Sequence, residues 1–157
     1  MDQETFICMV RQSQNTYYRV ARSILSKEED AEDAVQEGIL KAWQKRNKLK
    51  DESLFRTWST RIVINACYDM IRKNKPLLFF GEDAPEIPVS GVEGDTDLFL
   101  ALWDLPPKIR IAVVLHYVEG YTTEEVASIL KIPQGTVKSR LSAGRARLRN
   151  ALKEDEI

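Results

Sequence analysis

The sequence predicts an all-α protein of two small helical domains joined by a flexible acidic linker, and three observations carry that expectation. Apolar residues recur at helical spacing through most of the chain, and no segment shows the alternation of a half-buried strand. One acidic stretch containing Pro and Gly interrupts the helical pattern. Charge is partitioned in the same way: residues 1–75 hold 14 Lys and Arg against 11 Asp and Glu, residues 76–104 none against 7, and residues 105–157 9 against 6. The formal net charge of -1 therefore hides two basic blocks around an acidic one, and a near-neutral total does not argue against a nucleic-acid partner. We expect domains at 1–75 and 96–157 with the linker over 76–95.

Phe6, Met9, Val10, Tyr17, Val20, Ala21, Ile24 and Leu25 predict a first helix from Thr5 to Leu25. Ser26 and Glu29 have capping-box spacing ahead of a second helix. Glu28, Glu29, Asp30, Glu32 and Asp33 load its first turns with the negative charge that a helix dipole favours. Ala31, Ala34, Val35, Ile39, Ala42 and Trp43 fit its buried face, leaving Glu32, Asp33, Gln36 and Glu37 outside. Such an acidic patch suits plain solvation or a basic docking partner, and spacing does not choose. Cys8 and Cys67 belong to no C-x-x-C or C-x-x-H pair, so neither a zinc site nor a disulfide framework is suggested; both read as small core residues. No apolar run has the length of a membrane span and the first residues lack a signal-peptide core, which predicts a cytoplasmic protein without membrane insertion.

A polar loop from Asn47 to Ser53, with Leu49 its lone apolar residue, precedes a third helix, SLFRTWSTRIVINACYDMIRKNK. Phe55, Trp58, Ile62, Ala66, Met70 and Ile71 are its expected buried side. Arg56, Arg61, Asn65, Arg72 and Lys73 are its polar groups. Aromatic residues interleaved with Arg and Asn also suit a single-stranded nucleic acid, although most of these aromatics read as core. Pro76 ends the segment. Between Gly81 and Asp97 there are two prolines, two glycines after the first position, six carboxylates and no cation, which reads as an extended linker. Helix resumes from Asp97 to Trp103, Pro106 and Pro107 restart it, and Ile109 to Val118 is an apolar helix.

The last third, GYTTEEVASILKIPQGTVKSRLSAGRARLRNAL, reads as two short helices around a tight turn. Thr122 and Glu125 suit a capping box, with Tyr121 and Val126 as its hydrophobic staple. Val126, Ile129 and Leu130 form an apolar face, and Pro133 suits the first turn of the next helix. At about 100° per residue, Val137, Leu141, Gly144 and Leu148 make one stripe. Gly135, Ser139, Ser142 and Ala146 lie opposite, with Lys138, Arg140, Arg145, Arg147 and Arg149 on the shoulders. No acidic residue occurs from Gln134 to Lys153. Small residues let a helix backbone approach base edges while flanking cations meet phosphates, so this reads as a helix-turn-helix with its recognition helix; the turn and cap before it weigh against the alternative, a solvated basic amphipathic helix that simply packs on its neighbour.

Together these stretches resemble the extracytoplasmic-function (ECF, group IV) class of bacterial RNA polymerase sigma factors, within the sigma-70 family. The resemblance runs from about Tyr17 to Leu152. It is carried by DAEDAVQEGILKAW, FRTWSTRIVINACYDMIRK and LPPKIRIAVVLHYVEGYTTEEVASILKIPQGTVKSRL, in that order and with a linker between the second and third. It implies a sigma region 2 bundle and a sigma region 4 helix-turn-helix that bind core RNA polymerase and direct promoter-specific initiation, with no enzymatic chemistry and no cofactor.

On matching residues, the resemblance implies that Asp30, Asp33, Gln36, Glu37 and Leu40 dock on the β′ clamp helices, with the β flap a further polymerase contact. Leu49, Lys50, Arg56, Trp58, Arg61 and Asn65 match the part that captures a base flipped from the melted minus-10 element. Asn65 offers both donor and acceptor to a base edge. Gln134, Thr136, Lys138, Ser139, Arg140, Ser142 and Arg145, with His116 at the entry, match the minus-35 reader. Ala143 stands where the family often has arginine, and Leu49 where an aromatic is frequent. The class commonly works with an anti-sigma factor, and a monomer is expected when free.

An autonomous helix-turn-helix regulator would explain the last third equally well, but it leaves the acidic helix and linker without a role. An enzyme fits poorly: the chain has one histidine, no phosphate-cradling glycine loop, and no paired nucleophile and base.

Overall fold

The computed structural model describes residues 1–74 and 97–155, and among these every regular element is helical. The chain divides into two compact units, Met1–Pro88 and Val89–Ile157. The linker expected over 76–95 lies outside the described residues.

The first unit packs α1 (Gln3–Ile24), α2 (Glu28–Gln44) and α3 (Phe55–Asn74) each against the other two. Asp2 caps α1 by accepting the Thr5 N–H at 2.8 Å. Tyr17, Val20 and Ala21 of α1 are fully enclosed. The Tyr17 hydroxyl donates to Ser59 Oγ of α3 at 2.6 Å, and Ser59 donates on to the Arg56 carbonyl at 3.2 Å. A polar relay inside the bundle is tolerable only with its hydroxyls partnered.

The expected Ser26 cap is not used. Lys27 occupies the cap position without a side-chain bond, while Ser26 is buried and its carbonyl accepts from Arg22 Nη1 at 2.8 Å. The helix instead relies on the Glu28, Glu29 and Asp30 carboxylates in its first turn. The outward acidic face of α2 is as the spacing predicts, with Glu32, Asp33, Gln36 and Glu37 all exposed. Where α2 crosses α3, Gly38 is buried, and a Cβ built on it would lie 2.9 Å from both Val63 Cα and Val63 Cγ2. The two backbones meet there with no room for a methyl.

That contact rotates the buried stripe of α3 to Phe55, Ser59, Thr60, Val63, Ile64, Ala66 and Cys67. Trp58, Ile62 and Met70 are only half-buried and Ile71 is exposed, against the expected stripe. Cys67 is a core residue, and burial pushes its thiol up to about 12; Cys8, expected in the core, is exposed. Phe6, Ala42 and Phe55 form an apolar cluster on which Trp43, Leu49, Trp58 and Ile62 pack. Phe6 meets Trp43 and Phe55 edge-on, with centroids 5.1 and 5.7 Å apart.

The second unit contains α4 (Asp97–Trp103), α5 (Pro107–Val113), α6 (Thr123–Leu130) and α7 (Gln134–Asp155). Pro107 occupies the first position of α5, as expected. Arg110 is buried, its guanidinium 3.7 Å from the Trp103 ring centre, and it donates to the Trp103 and Leu105 carbonyls at 3.2 and 3.1 Å. It thereby satisfies carbonyls left over where α4 ends. The apolar helix expected through Val118 instead widens after Val113 into a π-helical turn, Val114–Val118.

The predicted capping box is present: Thr122 Oγ1 accepts the Glu125 N–H at 3.1 Å, and Glu125 Oε1 accepts the Thr122 N–H at 2.9 Å. Tyr121 and Val126 are both buried beside it. α6 stops at Lys131, which has left-handed backbone angles (φ 55°, ψ 48°), and the Ile132 N–H closes back on the Ala127 carbonyl at 3.1 Å. Pro133 then stands immediately before α7, which at 22 residues is a long helix rather than a short one. Val137 and Leu141 are buried, and a Cβ on Gly144 would lie 2.5 Å from Val113 Cγ2 and 3.2 Å from Ile109 Cγ2.

Candidate nucleic-acid interface

Three surfaces collect the residues singled out by sequence. On α2, Asp33, Gln36, Glu37 and Leu40 follow the i, i+3, i+4, i+7 spacing of one helix face, and all four are exposed. Leu40 exposes 51% of its surface, an apolar centre in an acidic rim, while Asp30 is half-buried. Lys41 stands at the edge of this face, its ammonium 3.3 Å from Asp69 of α3 and 4.0 Å from Glu37. Arg72 also pairs with Asp69, and these contacts, the Arg72 hydrogen bond foremost, hold the Asp69 carboxyl below its usual range.

On α3, Trp58, Arg61 and Asn65 fall within an arc of about 60°, since successive residues rotate by about 100°. Asn65 is exposed; Trp58 and Arg61 are half-buried. Arg56 is exposed at the first turn but, nine residues before Asn65, lies about 180° round the helix from it, so it does not join that face. Leu49 packs on the Phe6 cluster and Lys50 is exposed. Asp51 fixes the turn beyond them, its carboxylate accepting from the Ser53 N–H and hydroxyl at 3.0 and 2.7 Å; those bonds lower its pKa. Leu54, in the short 3-10 turn just before α3, is a further exposed apolar side chain beside these residues in sequence, with 54% of its surface open; a large apolar residue next to the polar loop was the available signal.

On α7, Lys138, Ser139, Ser142 and Arg145 are exposed and Thr136 and Arg140 half-buried. The small stripe expected opposite the core is outward: Gly135, Ser139, Ser142 and Ala146 are all exposed. Gln134 is pinned at the helix start, its Nε2 donating to Thr123 Oγ1 of α6 at 2.8 Å. Ser139 Oγ donates back to the Gly135 carbonyl at 3.1 Å. His116 is half-buried, and its Nδ1–H donates to the Tyr121 carbonyl at 2.7 Å. That bond leaves any DNA contact of the ring to Nε2. Tyr117, which the sequence did not single out, accepts from Arg145 Nη1 at 2.5 Å.

Among the described residues, no group of three or more His, Cys, Asp or Glu is gathered as metal ligands would be. None of the helices there is long and apolar enough to cross a membrane.

A three-helix unit with an acidic outer face, followed by a helix-turn-helix unit, is the arrangement of the sigma-70 class. The family model Sigma-70 region 2 matches residues 9–76, and the model Sigma-70, region 4 matches residues 98–148. The chain is 29% identical to the ECF RNA polymerase sigma factor SigW of Bacillus subtilis, over 98% of this chain and 91% of that protein. It is 33% identical to the ECF RNA polymerase sigma factor SigM of Mycobacterium tuberculosis, over 96% and 79%. Among solved structures it superposes on the sigma factor RpoE of Bartonella quintana, crystallised with the anti-sigma factor NepR, with a TM-score of 0.81 at 30% identity over 96% of this chain and 98% of that one. CnrH, in complex with the cytosolic domain of CnrY, gives 0.74 at 26% identity over 98% and 91%. The chain belongs to the ECF family of RNA polymerase sigma factors. Its function is promoter-specific initiation of transcription, in a family that acts as a non-enzymatic regulatory subunit.

Proposed function

We propose that this sigma factor divides its work among the three surfaces described, acting in the cytoplasm as a monomer until it meets core polymerase. The outward face of α2, with Asp33, Gln36, Glu37 and Leu40, docks on the β′ clamp helices; its exposed leucine within an acidic rim suits a basic partner that also buries apolar area. Trp58, Arg61 and Asn65 on α3 take a base unstacked from the minus-10 element, with Lys50 meeting a backbone phosphate; Arg56, on the opposite side of α3, contacts the strand only away from that base. α7 enters the major groove at the minus-35 element through Gln134, Lys138, Ser139 and Ser142, while Arg140 and Arg145 reach its walls. Residues 1–75 and 96–157 are the working domains and 76–95 the tether. Solved relatives bound to anti-sigma factors support an inhibitor of that kind as a further partner.

One observation carries the reading: α7 exposes a stripe of small residues flanked by Lys and Arg, with no carboxylate between Gln134 and Lys153. Such a surface approaches duplex DNA closely and gains from phosphate contact. The test uses holoenzyme assembled from core polymerase. Lys138→Ala with Arg140→Ala is expected to weaken promoter-specific transcription by about 1–3 kcal/mol for a lost base contact, with polymerase association intact. Asp33→Arg with Glu37→Arg is expected to do the reverse and abolish capture of core polymerase. Loss of polymerase association in the first variant, or unchanged pull-down in the second, would overturn the division of labour.

A further inference from the structure

We propose that Tyr117 is a positioning residue for promoter recognition, its hydroxyl holding the Arg145 guanidinium on one shoulder of α7 to meet a backbone phosphate. This rests on the reading of α7 as the groove helix. The Arg145–Tyr117 bond, 2.5 Å from Nη1 to Oη, joins α7 to the π-helical turn across 28 residues of sequence. Tyr117 exposes 50% of its surface, so burial alone does not fix its ring. His116 supplies the brace: its ring meets Tyr117 edge-on with centroids 4.8 Å apart, and its Nδ1–H donates to the carbonyl of buried Tyr121. Three successive contacts thus connect the exposed Arg145 guanidinium to the core of the second unit.

A guanidinium carries five N–H donors in a planar fork. One is used on the phenol oxygen, and four remain for a phosphate, whose oxygens accept them in paired geometry. A tethered side chain also surrenders less conformational freedom when it binds. The position favours phosphate over base. Arg145 lies 11 residues beyond Gln134, about 16 Å along the helix, whereas the N-terminal turns of a recognition helix are the part that contacts base edges. Rotation at about 100° per residue sets Arg145 on the same shoulder as Gln134 and Lys138, toward one wall of the groove.

The experiment measures promoter binding by holoenzyme containing the full chain, across a salt titration and a set of minus-35 sequences. Tyr117→Phe removes the hydroxyl and keeps the ring. It is expected to weaken binding roughly 2- to 10-fold, the worth of one hydrogen bond, equally for every minus-35 sequence and without changing thermal unfolding. Arg145→Ala should lower the steepness of the log–log salt dependence by about one, and Tyr117→Phe should then add nothing in the Arg145→Ala background. The proposal is overturned by a silent Tyr117→Phe, by an undiminished loss in the Arg145→Ala background, or by a loss confined to particular minus-35 sequences. Lys138→Ala with Arg140→Ala, run alongside, separates the two ideas. If that pair is silent, the groove reading of α7 fails; if it weakens binding while Tyr117→Phe is silent, only the positioning role fails.

Discussion

Gly38→Ala sets two effects of known sign against each other. In a helix interior, alanine is favoured over glycine by about 1 kcal/mol. At this site the added Cβ would stand 2.9 Å from Val63 Cα and from Val63 Cγ2, when carbon atoms prefer about 3.5–4.0 Å. Rotation of Val63 could relieve the methyl contact, but the Cα yields only if α3 moves, and Val63 is enclosed. Overpacking of this kind costs about 1–3 kcal/mol, and a backbone obstacle belongs at the upper end. We expect a net loss of about 1–2 kcal/mol, lowering the Tm of the first unit by about 4–8 °C per kcal/mol for a domain of this size. The assay is thermal and urea unfolding followed by tryptophan fluorescence in a Trp103→Phe background, where Trp43 and Trp58 report the first unit. Gly135→Ala, in the second unit and followed there with Trp103 retained and Trp43 and Trp58 replaced by Phe, is the contrasting case, because a Cβ there meets nothing within 4 Å, so it should be neutral or slightly stabilising. Gly38→Ala stabilising the protein, or full rescue of its defect by Val63→Ala, would refute the argument that backbone contact sets the α2–α3 spacing.

Three further outcomes follow from local geometry. Lys131→Gly should raise the stability of the second unit by about 1 kcal/mol in urea titration, since a left-handed backbone penalises any residue with a Cβ; an unchanged midpoint would count against strain at that turn. Asp69 has a lowered pKa through Arg72 first and Lys41 as well. Its contribution is therefore complete above the ordinary carboxylate pKa of about 3.9 and is lost as pH falls through the depressed value. Asp69→Asn should cost about 0.2–1 kcal/mol near neutrality, as partly exposed pairs do, and flatten the acid limb of the stability curve; an acid limb as steep as the parent's would contradict this. A thiol-specific reagent at pH 8 should modify exposed Cys8 promptly and reach Cys67, held protonated by burial near 12, only on unfolding. Equal labelling rates in the folded protein would show that the α3 core opens far more readily than its packing implies.

What the sequence made legible is what short spacing encodes. The Thr122 and Glu125 capping box, the outward acids of α2 and the small stripe of α7 each depend on residues within a few turns of one another, and each is present, with Tyr121 and Val126 both buried. The turn after α6 was placed correctly, but its left-handed residue was hidden because Lys131 stands where glycine would announce it. Ser26 had cap spacing, yet its carbonyl was claimed by Arg22 and its side chain by the core. Long-range contacts were the blind spot. A glycine inside a helix reads as a weak point until the partner at Val63 is known, and the stripe of α3 that meets it leaves Trp58 and Ile62 at the edge of the expected core. The candidate site shows the same limit. Helical rotation alone separates Arg56 from Asn65, whereas the bond between Arg145 and Tyr117 spans 28 positions and leaves no trace in local pattern.

Gly38 and Gly144 each mark a crossing where one helix comes as near to its neighbour as an absent side chain permits. At Gly38 the limit is the backbone of Val63, so the separation there depends little on which aliphatic groups surround the crossing, whereas at Gly144 the Val113 and Ile109 methyls fill the space. Val can drift to Ile, or Leu to Met, elsewhere in the core of the first unit while its outward faces stay in the same geometry. The fold can thus outlast the replacement of most of its residues, as its 0.81 superposition on a protein sharing 30% of its sequence illustrates, and on the reading proposed above the outer stripe of α7 can change promoter preference without redesign of the scaffold beneath.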